Sequence, residues 1–375
     1  MKKKLLSVLR GVLMAAAIMA VSILLAMWMK PLNSEAGRSM SFGTYLLWLA
    51  AAMAVMYPLE IALHEAGHLV FGLLSGYGFV SYRLGSLMLT RQKDRLVFKR
   101  YSLAGTLGQC LMSPPDWNGG RVPYFLYNMG GVFMNLISAG AFALLWTALR
   151  ARPGASLMLF FGIYFALIMA LLNGVPLSTA TVTNDGWNAL FIGKDPAALR
   201  GFWVMLKVNA LQSEGVRLRD MPEEWFVFPD RDQLGNGMTA AMGVFCANRS
   251  MDRLDLAAAR GQIDALLDES CGAAGLYKSL LRCDKAFLEL LEKGPEADVS
   301  DLQDKKMVQF LRQMKSFPSV LRTQYALALL HERDEKKAAE VLDRFEKMAK
   351  AYPAPADIES ERELLALAGE RYGAD

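Results

Sequence analysis

Four long apolar runs in the first half of the chain constrain its fold more than any other feature. They lie near residues 11–28, 45–76, 122–149 and 156–177, and each approaches or exceeds the roughly 20 residues that a membrane-spanning helix needs. The second half of the chain is charged instead. The sequence therefore predicts a mainly α polytopic membrane protein with about four transmembrane helices, followed by a soluble helical domain.

The first apolar run follows the basic stretch Met1–Lys4, a pattern that also suits a signal peptide. Its apolar part is long, however, and no small-x-small cleavage site follows it. We therefore expect an uncleaved membrane anchor.

Basic residues between the apolar runs predict the orientation. They are numerous before the first run and in the loop 77–121, whereas each remaining loop has two: Lys30 and Arg38, then Arg150 and Arg152. The positive-inside rule then places the N-terminus, the 77–121 loop and the C-terminal half in the cytoplasm. These flanks account for the net charge of +4, so the charge indicates no nucleic-acid partner.

A histidine motif lies inside the second apolar run. His64 and His68 are four residues apart, so on a helix both imidazoles face one side and can bind one zinc ion at about 2.0–2.1 Å. Glu65 lies beside the first histidine, where it can exchange a proton with a zinc-bound water. Such short motifs also arise by chance in ordinary helices. Ionisable groups are costly in a membrane segment, and this context favours a catalytic Zn²⁺ site.

A catalytic zinc needs a third protein ligand. The remaining histidine, His331, lies in a distant charged segment, so a carboxylate is expected. Asp185 follows a polar interruption of the fourth apolar run, and non-helical backbone at membrane depth is tolerated where it lines a polar cavity. Alternatively, Asp185 caps a helix that begins at Gly186. We favour Asp185 as the ligand.

Together these motifs resemble the site-2 protease family of intramembrane zinc metalloproteases, in which HExxH in one helix is followed by Asn-x-x-Pro and Asp-Gly in a later one. The resemblance covers roughly residues 45–190. It implies metal ligation by His64, His68 and Asp185, catalysis by Glu65, and oxyanion stabilisation by Asn173. The segment from Pro176 to Asp185 is longer than usual in the family, so Asn184 is an alternative to Asn173.

Further polar and small residues lie close to these motifs. The resemblance extends to the Gly130–Asn135 stretch of the third run, where the glycines suit close helix packing and Asn135 is a candidate site-lining group. Glu60 precedes His64 by one helical turn, where it either orients that imidazole or lines the cavity.

Residues 80–90 and 95–101 are predicted to be strands around a polar turn at 91–94, which gives a small β-hairpin at the membrane edge. The family resemblance implies that such a sheet lies near the active site, where an exposed strand can bind an unwound substrate. A purely structural hairpin with basic residues facing lipid headgroups is the equal alternative.

From about Asn209 the sequence predicts successive amphipathic helices: 237–248, 253–268, 273–293, 301–315, 318–333, 335–351 and 356–371. Their pairing is similar to tetratricopeptide repeats, although a generic helical bundle explains it nearly as well. We therefore divide the chain into a membrane-embedded metalloprotease domain, 1–205, and a cytoplasmic α-helical domain, 206–375. The helical domain is expected to bind a protein partner and to select substrates or regulate cleavage.

The function implied by the resemblance is hydrolysis of peptide bonds in membrane-associated protein substrates. The short loops and compact layout favour a bacterial origin, so the expected location is the bacterial cytoplasmic membrane. The main alternative is a non-catalytic membrane scaffold or assembly factor with a vestigial zinc site. A transporter is disfavoured, because four spans show no inverted repeat. The four cysteines show no CxxC spacing and are expected to be free thiols.

Overall fold

A computed structural model describes residues 2–29, 40–92, 95–102, 106–177 and 183–374. The chain forms two compact units. The first comprises 1–84, 107–110 and 123–194, and the second comprises 85–106, 111–122 and 195–375. The predicted domain boundary between 205 and 206 stays a prediction; it falls within the helix Pro196–Glu214.

Four long apolar helices dominate the first unit, as the sequence predicts. They are α1 (Lys2–Met29), α2 (Phe42–Leu74), α3 (Tyr124–Leu149) and α4 (Pro153–Gly174). Each is long and apolar enough to cross a membrane. The start of α2 is fixed by Ser41, whose hydroxyl accepts a hydrogen bond from the Thr44 amide at 3.2 Å, and α4 starts at Pro153, a residue preorganised for a first helical turn. Lys30 and Arg38, used to predict orientation, lie outside the described residues.

Helices α2 and α3 approach closely where two glycines meet. A Cβ atom added to Gly67 would lie 2.2 Å from the carbonyl oxygen of Gly130, and one added to Gly130 would lie 2.5 Å from that of Gly67. Since only glycine permits this separation, the predicted packing role of Gly130 is confirmed. The contact turns the histidine-bearing face of α2 toward α3.

The strands form one small sheet. They are β1 (Gly78–Leu84), β2 (Leu87–Gln92), β3 (Arg95–Arg100) and β4 (Gly108–Ser113), in the order β3-β2-β1-β4. The prediction of one strand over 80–90 is wrong, because Gly85 adopts a φ of 58° and turns the chain between β1 and β2. Strand β3 pairs antiparallel with β2, with Phe98 opposite Leu89. Lys93 and Asp94 of the predicted turn lie outside the described residues.

A short helix and the second unit complete the chain. Helix α5 (Asp185–Phe191) ends the first unit; in the second follow α6 (Pro196–Glu214), α7 (Gly237–Asp252), α8 (Leu256–Leu267), α9 (Gly275–Lys293), α10 (Ser300–Gln303), α11 (Lys305–Gln313), α12 (Pro318–Ala326), α13 (Glu335–Ala349) and α14 (Pro355–Ala374). The predicted helix 301–315 is divided, because Asp304 caps α11 by accepting from the amides of Lys306 and Met307. The resemblance to tetratricopeptide repeats stays a prediction.

The second unit is held together by a buried apolar core and by polar anchors. Phe287, Leu281 and Leu290 are among its fully buried core residues. The β2–β3 hairpin is attached through Lys99, whose ammonium donates to the Tyr352 carbonyl at 2.9 Å. All four cysteines of the chain are buried and free, as predicted.

Candidate metal centre

The two motif histidines present the same ring nitrogen to one point. His64 Nδ1 lies 2.7 Å from Asn135 Oδ1, and His68 Nδ1 lies 2.8 Å from the Tyr127 carbonyl oxygen. Both partners are acceptors, so each Nδ1 carries the proton and donates it. Each Nε2 therefore keeps its lone pair, the tautomer that a metal ligand requires.

Asp185 completes a cluster of three acceptor atoms. Its Oδ2 lies 3.2 Å from His64 Nε2 and 3.4 Å from His68 Nε2, and the two Nε2 atoms are 3.2 Å apart. Within the part of the chain that the structure describes, these residues form a group close enough to hold one metal ion. Three converging lone pairs repel one another unless a cation lies between them.

The spacing of these atoms fits zinc. Nitrogen and oxygen ligands at about 2.0–2.1 Å from a tetrahedral ion lie about 3.3–3.4 Å apart, and the three observed separations lie close to this distance. Two imidazoles and one carboxylate leave the fourth tetrahedral position for water or substrate, which is the arrangement of catalytic zinc sites.

A proton on one imidazole would also satisfy this geometry. Burial by itself raises the pKa of Asp185, but its hydrogen bonds and electrostatic attraction to the two imidazoles more than offset this effect, so the pKa falls below the usual range. Asp185 is therefore a carboxylate whichever cation binds there.

The position of Asp185 depends on its neighbour. The Asn184 side chain accepts from the amides of Trp187 at 3.1 Å and Leu177 at 2.9 Å. It also donates to the carbonyls of Leu172 at 2.7 Å and Val175 at 2.6 Å. Asn184 thus caps α5, and the alternative of Asp185 as the cap is wrong. The Asp185 carboxylate is left to face the histidines.

Gly186 explains why glycine follows Asp185. A Cβ atom at this position would lie 2.1 Å from the carbonyl oxygen of Gly174. A side chain would therefore push the start of α5 away from the end of α4, and Asp185 would move with it.

Asn173 and Asn184 are the predicted oxyanion donors. Among the described residues, neither side chain forms a hydrogen bond with His64, His68 or Asp185. The Asn173 amide donates to the carbonyl of Met169, one turn back in α4, at 3.0 Å. All the hydrogen bonds of Asn184 described above are structural. The oxyanion role of Asn173 stays a prediction, and the neighbouring stretch 178–182 lies outside the described residues.

Glu65 lies close both to the cluster of His64, His68 and Asp185 and to strand β4. A Cβ atom added to Gly108 would lie 2.6 Å from Glu65 Oε1, and the backbone amide of Cys110 donates to the Glu65 carboxylate. Sequence inspection missed β4, because Leu111 lies between the apolar Cys110 and Met112 and polar and apolar residues do not alternate there. The alternation of buried Cys110 and Met112 with less buried neighbours is a property of the structure. Burial and the Glu65 charge raise the pKa of Cys110 to about 12, so this thiol stays protonated.

A buried polar network supports His64 from behind. The Asn135 amide donates to Glu60 Oε2 at 2.8 Å, and the Ser138 hydroxyl donates to the same oxygen at 3.0 Å. Glu60 and Asn135 are fully buried. Glu60 therefore acts on His64 through Asn135, whose amide it orients. Sequence inspection did not single out Ser138, because a serine in an apolar helix has no distinctive signal.

Comparison with known proteins identified no relative. A scan of protein-family models, a search of curated proteins and a search of solved structures each found no match.

Proposed function

We propose that this chain is a zinc-dependent metalloendopeptidase of the site-2 protease type, which hydrolyses peptide bonds of membrane-associated protein substrates. The observation that carries the proposal is the convergence of His64 Nε2, His68 Nε2 and Asp185 Oδ2 on one point, with Glu65 beside them. The histidines and Glu65 lie on one long apolar helix, α2. The same residues carry the sequence resemblance to that family.

Each residue has a distinct role in the proposed reaction. His64, His68 and Asp185 hold the zinc ion, while the Asn135 and Tyr127 oxygens keep the imidazoles in the ligating tautomer. When bound, zinc supplies Lewis acidity for the scissile carbonyl and lowers the pKa of water. Glu65 accepts a proton from the attacking water and delivers it to the leaving amine. Asn173 is the proposed donor to the oxyanion.

Strand β4 offers a means of holding the substrate. It is an edge strand of the sheet, and its first residues pack against Glu65. A helical substrate hides its peptide bonds in its own hydrogen bonds, so it must unwind before hydrolysis. An extended segment that pairs with the edge of β4 would lie near the Glu65 carboxylate.

The proposed location is the bacterial cytoplasmic membrane. Four helices are long and apolar enough to cross it. The positive-inside rule orients the N-terminus and the C-terminal helices toward the cytoplasm. This orientation would put the histidine motif near the cytoplasmic end of its helix.

The first test is the zinc content of detergent-purified protein by elemental analysis. We expect about one zinc per chain in the wild type, as expected for one three-ligand site. His64→Ala and Asp185→Ala should lose most of the metal. Glu65→Gln should keep it, because the amide occupies the same space and Glu65 is not a ligand.

The second test separates a protease from a scaffold. Membranes from cells that express the wild type or Glu65→Gln are compared by mass spectrometry of protein amino termini. A protease generates new termini in membrane proteins that are absent with Glu65→Gln. Zinc binding with identical termini in both samples would favour the scaffold. In the first test, full zinc retention in Asp185→Ala would show that Asp185 is not a required ligand.

A further inference from the structure

A cavity of about 270 Å³ lies among the helices of the second unit. Its volume is close to the lower end, about 300 Å³, of small-molecule sites. The lining residues all fall between 209 and 364, so the cavity is separate from the metal centre. Its wall combines carboxylates, one guanidinium and several aromatic rings.

The carboxylates of the cavity wall carry more negative charge than the described arginines beside them can neutralise. Those in the wall are Asp252, Asp284, Asp357 and Glu361. Asp252 is neutralised from outside the cavity by Arg217, whose Nε lies 3.0 Å from Asp252 Oδ1. Arg322 donates to both oxygens of Glu361, at 3.1 and 3.0 Å, and also to Asp284. One guanidinium therefore serves two carboxylates.

Asp357 lacks a basic partner among the residues that the structure describes. The Gln212 amide donates to it, while the charges that act on it most are the carboxylates of Glu361 and Asp252. Burial, together with these like charges, raises the pKa of Asp357 to about 7. Burial also raises the pKa of Glu361 to about 7. The cavity thus holds up to two negative charges that the described residues leave uncompensated.

Arg322 points to a second feature of the ligand. Its side chain is 2 % exposed, lines the cavity, and packs over the Phe287 ring. Its Nε–H has no hydrogen-bond partner in the described part of the chain. A buried donor without an acceptor is costly, so a ligand that brings an acceptor gains from this position.

We propose that this cavity binds a primary ammonium group with a carbonyl oxygen beside it, the chemistry of a peptide amino terminus or of a free amino-acid amide. The ammonium donates to Asp357 and Glu361, and the carbonyl accepts from Arg322 Nε. Tyr277, Phe317 and Tyr352 line the same cavity and provide rings for cation–π contact.

A metal ion fits this cavity less well than an organic cation. In the described ranges, the carboxylates of the cavity do not form a group whose oxygens approach closely enough to share one ion, whereas the histidines and Asp185 do. A ligand with several separated polar groups suits the spread of these side chains.

The test is isothermal titration calorimetry of the full-length protein in detergent with L-alanyl-L-alaninamide. Saturable binding is expected, and the N-acetylated form, which keeps the carbonyls but lacks the charge, should bind at least tenfold more weakly. Asp357→Asn should weaken binding at least tenfold without changing the zinc content. Glu359→Gln is the matched control, because Glu359 lies on the same helix but is exposed, and its affinity should equal that of the wild type.

L-Alaninamide distinguishes the two sources of the ligand. Equal affinity for alaninamide and the dipeptide amide would assign the site to free amino-acid amides, and tighter binding of the dipeptide would assign it to peptide amino termini. The proposal is overturned if neither probe binds, if acetylation has no effect, or if Asp357→Asn binds as the wild type does. The binding measurements depend neither on zinc nor on peptide hydrolysis, so they can fail independently of the proposed protease activity.

Discussion

At the scale of single residues, the position of His64 depends on the absence of a side chain on the facing helix. A Cβ atom added to Gly131 would lie 2.4–2.6 Å from three atoms of the His64 imidazole. Glycine at 131 therefore does more than bring α2 and α3 together, the role predicted for it. It provides the space in which the ring turns Nδ1 to Asn135 and Nε2 to Asp185.

Gly131→Ala should accordingly weaken zinc binding. The added methyl must displace the imidazole, and we expect the zinc affinity to fall by about 10–100-fold, the range seen when the support of a ligand is disturbed. Gly140→Ala is the control. Gly140 lies on the same helix as Gly131, and a Cβ atom added there would have no neighbour within 4 Å. Both affinities are measured by competition with a chromophoric chelator; equal values for the two variants would contradict this role.

The residue scale also shows how far sequence reasoning reaches. His64, Glu65 and His68 could be assigned because residues four apart on a helix share a face, and the structure brings Asp185 to them. The contact of Asn135 with Glu60 joins residues 75 positions apart. It depends on how α2 and α3 are rotated against each other, which the spacing along one helix does not determine.

At the scale of elements, the short helix α5 positions Asp185, which lies in its first turn. The Asn184 side chain links that turn to the end of α4, because it accepts from the Trp187 amide and donates to the carbonyls of Leu172 and Val175. Sequence inspection predicted a helix after Asp185 but not the hydrogen bonds of Asn184 to Leu172 and Val175. The chain reversal between α4 and α5 brings these residues together, and the local sequence does not show it.

Substitutions at Asn184 should separate the effect of the hydrogen bonds that its side chain accepts from the effect of those that it donates. Asn184→Ala loses the cap and should destabilise α5 by about 1 kcal/mol, with a clear loss of zinc affinity. Asn184→Asp keeps the acceptors but not the donors to Leu172 and Val175, so its affinity should lie between those of Asn184→Ala and the wild type. Asn188→Ala, on the same helix, removes a 2.8 Å side-chain hydrogen bond from Thr183, the one that the described residues show for this side chain, and should change the affinity least. Wild-type affinity in Asn184→Ala, measured with the same chelator assay, would refute the positioning role.

The strands show a different limit of sequence reasoning. Alternation of polar and apolar residues revealed β-structure over 80–101, but the Gly85-Ser86 pair that divides β1 from β2 was overlooked, although such a pair is a known hairpin signal. Strand β4 is short, and its partner β1 is distant in sequence. Its pairing, which brings Gly108 against Glu65, is a tertiary property.

At the scale of the whole molecule, the two units use charge in different ways. In the first unit, three ionisable side chains, those of His64, His68 and Asp185, converge on one point beside long apolar helices. In the second, charges are abundant, and several form exposed ion pairs of small energetic value, such as Lys347 with Asp343 and Arg362 with Glu346. In the cavity wall, by contrast, the half-buried Asp357 and Glu361 lie beside other carboxylates. This wall makes the stability of the second unit depend on pH.

The sign of this dependence follows from the direction of the shifts. Burial raises the folded-state pKa of Asp357 and Glu361 to about 7, above the value of about 4 that such groups have in unfolded chains. The folded state therefore binds protons more tightly than the unfolded state. The resulting stabilisation is fully present below about pH 4 and is lost as the pH rises through about 7.

Asp357→Asn should remove part of this penalty, because an amide resembles the protonated carboxyl and still accepts from Gln212. At pH 8 we expect a gain of about 1–2 kcal/mol, or about 2–8 °C in Tm for a unit of this size. At pH 4 the wild-type group is protonated in the folded state and about half protonated in the unfolded state, so the difference should nearly vanish. Thermal unfolding of the full chain in detergent, followed by circular dichroism, measures both, with the exposed Glu359→Gln as the control. An equal change in Tm at both pH values would show that Asp357 does not carry the uncompensated charge. The excess negative charge of the cavity wall would then belong to another carboxylate.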